Sequence, residues 1–248
     1  MTYRLYFGFI LAAMLFSGTA ADAQTCAPGT LASYIASSGC VNGIEFFTFQ
    51  PLTTSGTGVE YSASNIEEDP VSFSDDASAG FVFCLVQSMP GCSNVTNPFE
   101  VASGETATYD ISYLFSFIVD PVASNANLGM DPPFGNVSIN QYYCADAGLT
   151  QSSPVATPLC NASGHSFAPQ VLNVNDSNPP ASWNTGIVPL NPVIHNSASI
   201  VTMISLDGTN GAAGFDSVSG TDFVAPEPSA VLLAAGGLLA LALRRRFC

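Results

Sequence analysis

Hydrophobic residues are arranged along this chain in two ways. Near its ends they form almost unbroken runs, residues 5–16 and 230–243. Between the runs they come in short bursts, rich in β-branched and aromatic residues and interleaved with polar ones, the two-residue period of a half-buried strand. The pattern is strongest in Ile111-Ser112-Tyr113-Leu114-Phe115-Ser116-Phe117-Ile118-Val119 and in Ile200-Val201-Thr202-Met203-Ile204. It predicts strands over 44–50, 58–63, 81–87, 106–120, 136–144, 170–174, 186–189, 197–206 and 221–224, with a single short helix over 30–37. Pro-Pro, Asn-Pro, Asn-Gly and Gly-Thr-Asn-Gly separate the bursts as turns. Eight or nine short strands without a repeat period predict an all-β, antiparallel β-sandwich, its strands apolar on one face and polar on the other.

Charge changes the picture of the two ends. The 248 residues include four basic ones, Arg4, Arg244, Arg245 and Arg246, against nineteen acidic ones. No lysine or arginine lies between Gln24 and Leu243, so the middle of the chain cannot neutralise phosphates and nucleic-acid binding is excluded as a function class. At the N-terminus, Arg4, the apolar run 5–16 and the small-residue sequence Ala21-Asp22-Ala23 follow the order of a secretory signal peptide. Residues 1–23 are therefore read as a leader removed by signal peptidase after Ala23, with Ala20 as the alternative cut. The competing reading, an uncleaved anchor, needs a longer apolar run.

At the C-terminus three elements follow one another. Pro226-Glu227-Pro228 is held extended by its two prolines, as a processing protease requires. Residues 230–243 form a charge-free stretch of fourteen, a helix of about 21 Å against a hydrocarbon core of about 30 Å. Arg244-Arg245-Arg246 then stay on the cytoplasmic side, which leaves the preceding domain facing outward. This order resembles the PEP-CTERM sorting signal. The resemblance implies recognition of Pro226, Glu227, Pro228 and Arg244 to Arg246 by an exosortase, a membrane-embedded cysteine protease. It implies a Gram-negative bacterium that makes exopolysaccharide. The protein would be anchored in the inner membrane by the helix 230–243, then transferred to the cell surface or extracellular matrix. Phe247-Cys248 after the arginines departs from the pattern. The chain then divides into a leader (1–23), an exported β-sandwich domain (24–225) and a sorting signal (226–248). A second resemblance covers Leu31, Tyr34, Ile35, Gly39-Cys40, Gly43 and Phe46-Phe47-Thr48-Phe49. This stretch is similar to the start of a group of β-rich PEP-CTERM proteins, and it supplies no catalytic residue.

The exported part holds Cys26, Cys40, Cys84, Cys92, Cys144 and Cys160, an even number suited to an oxidising compartment. Six cysteines allow 15 connectivities, among which the spacing suggests the local pairs 26–40, 84–92 and 144–160. A zinc site fits less well, since there is no Cys-x-x-Cys and there are two histidines, His165 and His195. Neither histidine accompanies a Gly-x-Ser-x-Gly elbow. Glu67-Glu68-Asp69 and Asp75-Asp76 read as acidic loops, solvated or calcium-holding, without EF-hand spacing. Asp216 and Asp222 are equally unspecific, and Trp183 is the single tryptophan, able to stack on a sugar ring or to pack against the sandwich. No catalytic residue, metal site or cofactor is assigned. Three functions fit: a non-enzymatic structural protein associated with exopolysaccharide, a carbohydrate-binding or adhesive module assisted by calcium, and a secreted hydrolase.

Overall fold

A computed structural model describes residues 24–43, 45–58, 61–72, 78–86, 92, 97–117, 121–154, 156–162, 165–175 and 184–226. In chain order these form β1 (Gly29–Thr30), helix α1 (Leu31–Ala36), β2 (Cys40–Asn42), β3 (Glu45–Phe49), β4 (Thr53–Gly56), β5 (Ile66–Ser72), β6 (Ser78–Leu85), β7 (Phe99–Val101) and β8 (Thr106–Phe117). There follow β9 (Pro121–Phe134), β10 (Asn136–Ala145), β11 (Gly148–Thr150), β12 (Leu159–Ala162), β13 (His165–Phe167), β14 (Gln170–Asn175), β15 (Val188–Ile194), β16 (Ser197–Asp207) and β17 (Ala213–Pro226). The first seven-stranded sheet runs β14-β10-β16-β8-β3-β2, with β4 also paired to β8. The second runs β1-β5-β6-β17-β9-β15, with β7 also paired to β17, and β11-β12-β13 make a small third sheet. These ladders are antiparallel throughout, and the nearly all-β architecture is consistent with the expected sandwich.

Strand β8 shows how the sequence builds the core. Ala107, Tyr109, Ile111, Tyr113 and Phe115 are buried on one face, while Thr106, Ser112 and Leu114 alternate onto the other. On the second sheet Ala79, Phe81, Phe83 and Leu85 of β6 are buried in the same cluster. Rings meet across the gap: Phe47 is edge-on to Phe81 at a centroid distance of 4.8 Å, and Phe99 lies 5.9 Å from Tyr109. Such pairs add about 0.5–1.5 kcal/mol beyond the area they bury. One polar network sits inside this core. The Gln141 Nε2 donates to Thr202 Oγ1 at 3.0 Å and to the Tyr113 hydroxyl at 3.3 Å, and the Tyr143 hydroxyl donates to Gln141 Oε1 at 2.8 Å. Gly220 of β17 makes room for it, because a Cβ there would lie 2.4 Å from Gln141 Nε2. At one edge Asn42 ties the sheets together, its Nδ2 donating to the carbonyls of Val71 and Gly80, each at 3.1 Å.

Three disulfides staple the fold: Cys26–Cys40 holds the leading segment on β2, Cys84–Cys92 ties Cys92 to β6, and Cys144–Cys160 holds the third sheet against β10. Helix α1 falls inside the expected 30–37, capped by Thr30, whose hydroxyl oxygen accepts from the Ser33 N–H at 3.3 Å.

Several strands depart from the sequence reading. The strand expected over 58–63 is absent among the described residues there, and the ladder is formed instead by β5, which carries Glu67, Glu68 and Asp69. Strand β9 was not foreseen, since Asn125, Asn127, Gly129, Pro132 and Pro133 give it the composition of a turn. Its buried Ala126, Leu128 and Met130 nonetheless keep the two-residue period, and β17 and β15 hold it from either side. Strand β17 begins at Ala213 rather than 221, the earlier part being diluted by Gly214, Ser217, Ser219 and Gly220. Among the described residues no helix is long and apolar enough to cross a membrane. The leader 1–23 and the stretch 230–243 lie outside the described residues.

Candidate functional site

The outward face of the first sheet is not left open. Residues 151–154 and Ala156, with the third sheet, lie over it, fastened by Cys144–Cys160 and by Gln151. Beneath them Tyr142, Val201 and Met203 make a small apolar cluster with Leu149, separate from the main core. Asp110 projects to the same side, because it is the direct ladder partner of Met203. It is fully buried. Its Oδ2 accepts from Gln151 Nε2 at 2.9 Å and from Thr53 Oγ1 at 3.4 Å, while Oδ1 has no hydrogen-bond partner among the described residues. Burial pushes the Asp110 carboxyl up to about 7, against the opposing pull of the Gln151 and Thr53 hydrogen bonds. The same Gln151 Nε2 donates to the carbonyls of Ala156 at 2.8 Å and Pro154 at 3.3 Å, so one amide pins the covering loop to the sheet. Thr53 and Gln151 form part of the wall of an open cleft of about 610 Å3. Its floor holds Ser112 and Leu114 of β8 with Ser199 and Val201 of β16.

A second acid lies on the opposite side of the core. Glu68 of β5 is fully buried next to Tyr34 of α1, and neither carboxylate oxygen has a hydrogen-bond partner among the described residues. Burial raises its carboxyl well above the ordinary glutamate range. Burial, then the charge of Glu68, raises the Tyr34 hydroxyl, which donates to the Ala27 carbonyl at 2.7 Å. Glu67 is buried too. Glu67 and Glu68 therefore do not belong to a solvated acidic loop: they are strand residues, and only Asp69 of the trio is partly exposed.

The C-terminal side of the domain ends in strand β17. Its ladder with β6 extends to Phe223↔Ser78, whereas its ladder with β9 continues through Val224↔Ala123 and Ala225↔Val122 to Pro226↔Pro121 after a register shift. Beyond Phe223 the described pairing is with β9 alone. Proline carries no N–H, so Pro226 cannot extend the hydrogen bonding as a donor. The family model of the PEP-CTERM protein-sorting motif matches residues 224–246. The chain carries a PEP-CTERM sorting motif. No curated protein matches the chain. The motif implies an exosortase-targeted, exported protein with a cell-surface or extracellular fate. The PEP-CTERM match thus begins inside a paired strand, at Val224, and leaves the described residues after Pro226. Glu227, Pro228 and Arg244 to Arg246 lie outside them, as do Ala21 and Ala23 of the leader.

The remaining candidates do not assemble around the cleft. His165 is exposed on β13 and His195 is exposed in the turn before β16, and neither lines it. The His195 turn is built by Asp146, whose carboxylate accepts the backbone N–H groups of His195, Asn196 and Ser197 at 3.3, 2.7 and 3.1 Å. Among the described residues no group of three or more His, Cys, Asp or Glu is placed to hold a metal ion. Asp75, Asp76 and Trp183 lie outside the described residues. The sorting tag and the β-sheet fold suggest a non-catalytic surface protein. Sequence reading missed Asp110, which sits in the polar phase of an alternating strand and there looks like any solvent-facing residue.

Proposed function

We propose that the chain is delivered to the cell surface or extracellular matrix as a structural, non-enzymatic protein associated with exopolysaccharide. In this reading signal peptidase removes 1–23, the helix 230–243 holds the protein in the inner membrane with Arg244 to Arg246 inside, and an exosortase then acts at Pro226-Glu227-Pro228. The product is the domain 24–225 with its few trailing residues. The observation that carries the reading is the sorting-motif match over 224–246. Three disulfides, and an acidic middle free of lysine and arginine, support passage through an oxidising compartment and solubility outside the cell. Three residues, Glu227, Pro228 and Ser229, separate Pro226 from Ala230, a reach of at most about 14 Å of extended chain, so before processing the end of β17 stands close to the membrane surface.

The test is fractionation of cells expressing the wild type and a Pro226→Ala/Pro228→Ala double variant. The wild type is expected at the surface or in the medium without its tail. The double variant is expected to keep the tail and accumulate in the inner membrane. Normal processing and release of the double variant would contradict the assignment of these residues.

A further inference from the structure

We infer that the cleft on the outer face of the first sheet binds an uncharged saccharide segment. The inference rests on the polysaccharide association proposed above and gives it a place. The cleft volume of about 610 Å3 falls within the roughly 300–1,000 Å3 of small-molecule sites. Its wall and floor present hydroxyls and amides from Gln50, Thr53, Ser112, Gln151, Ser152 and Ser199. Each of these groups can both donate and accept, as a ligand made of hydroxyl groups demands. Leu114 lies on the floor with 40 % of its surface exposed. It offers an apolar platform for the C–H face of a sugar ring.

Charge narrows the ligand class. No lysine or arginine occurs between Gln24 and Leu243, and neither histidine lines the cleft, so no cationic side chain there pairs with a carboxylate, sulfate or phosphate. Asp110 stands directly behind the wall, in the same outward row of β8 as Ser112 and Leu114, and any charge it carries opposes an anion. A neutral glycan meets neither difficulty.

Asp110 acts here as a positioning residue. Its Oδ2 accepts hydrogen bonds from the Thr53 hydroxyl and from one Gln151 N–H, so Thr53 turns its lone pairs and Gln151 its Oε1 to other partners. The covering loop is fixed twice over, by the three acceptors of Gln151 Nε2 and by the nearby Cys144–Cys160 bridge. A site fixed in this way loses little freedom when a ligand enters.

The test is binding of the processed protein to immobilised neutral glucan and galactan and to a polyuronate. Affinities are then measured by calorimetry with the corresponding oligosaccharides. A Leu114→Asp/Ser199→Gln double variant alters exposed or half-exposed positions of the floor, and its thermal unfolding verifies that it folds. The expected result is binding of a neutral polymer by the wild type, at least tenfold weaker binding by the folded double variant, and at least tenfold weaker binding of polyuronate. Equal binding by wild type and double variant would overturn the cleft while leaving the polysaccharide association in force. Polyuronate binding as tight as that of the neutral polymers would overturn the ligand class. Absence of binding to every polymer would remove both the site and the association, and surface delivery would stand on its own fractionation result.

Discussion

Replacing Asp110 by asparagine isolates the energetic consequence of burying an acid under the covering loop. In the folded protein the carboxyl titrates at about 7, against about 3.9 in an unfolded chain. The sign follows from which state holds the proton longer. Between these two values the unfolded chain gives up its proton first, so rising pH favours unfolding. The stability tied to neutral Asp110 is complete below about pH 4 and lost as pH rises through about 7. Roughly three pH units at ~1.4 kcal/mol each give ~4 kcal/mol as the upper bound of the loss. Relaxation of the covering loop around the buried charge lowers the expected figure to about 2–4 kcal/mol. Asparagine keeps an acceptor for Gln151 Nε2 and Thr53 Oγ1 and does not titrate. Whatever constant offset it introduces is the same at every pH. Urea denaturation of both proteins at pH 4, 6 and 8 reads the effect. The stability of Asp110→Asn relative to wild type is expected to rise by about 2–4 kcal/mol from pH 4 to pH 8. Glu68 is present in both proteins and drops out of the difference. A difference that stays constant with pH would refute the burial argument for Asp110.

Glu68→Gln should flatten a further part of the pH dependence, removing up to about 1.4 kcal/mol per pH unit above the unfolded carboxyl value, in the same denaturation series. Gly220→Ala places a methyl 2.4 Å from Gln141 Nε2 and should destabilise the fold by about 1–3 kcal/mol. Combining it with Gln141→Ala should recover part of that loss, and strict additivity of the two would count against the contact. Cys144→Ala/Cys160→Ala, which opens a bridge with a sequence separation of 16, should lower stability by about 3 kcal/mol. It should also raise hydrogen exchange in β11 to β13 while leaving β8 protected.

The parts of the molecule legible in the sequence are those specified by near neighbours. Strands β8 and β16 could be read because their inward positions are apolar almost without exception. The six exported cysteines could be paired by proximity. The sorting motif could be read because its order of proline, acid, apolar run and arginines needs no tertiary structure. Strands β9 and β17 were obscured because their prolines, asparagines and glycines are tolerated only through pairing with distant partners, Pro121↔Pro226 being the extreme case. The cleft is a long-range object too: it joins the β3–β4 connection, two central strands and the segment 148–154. Its one sequence trace was the expected 144–160 pairing. Glu67 and Glu68 misled for a related reason. Consecutive acids carry the signature of a solvated loop, and nothing local announces that α1 and β1 will cover them.

Intact mass spectrometry of the protein recovered from the surface fraction of its cells, under non-reducing conditions, tests the central claim most directly. A single species starting at Gln24, ending near Pro228 and containing no free thiol among its six cysteines is the predicted result. Recovery of the complete 248-residue chain from the cytosol, soluble and with its cysteines reduced, would contradict it.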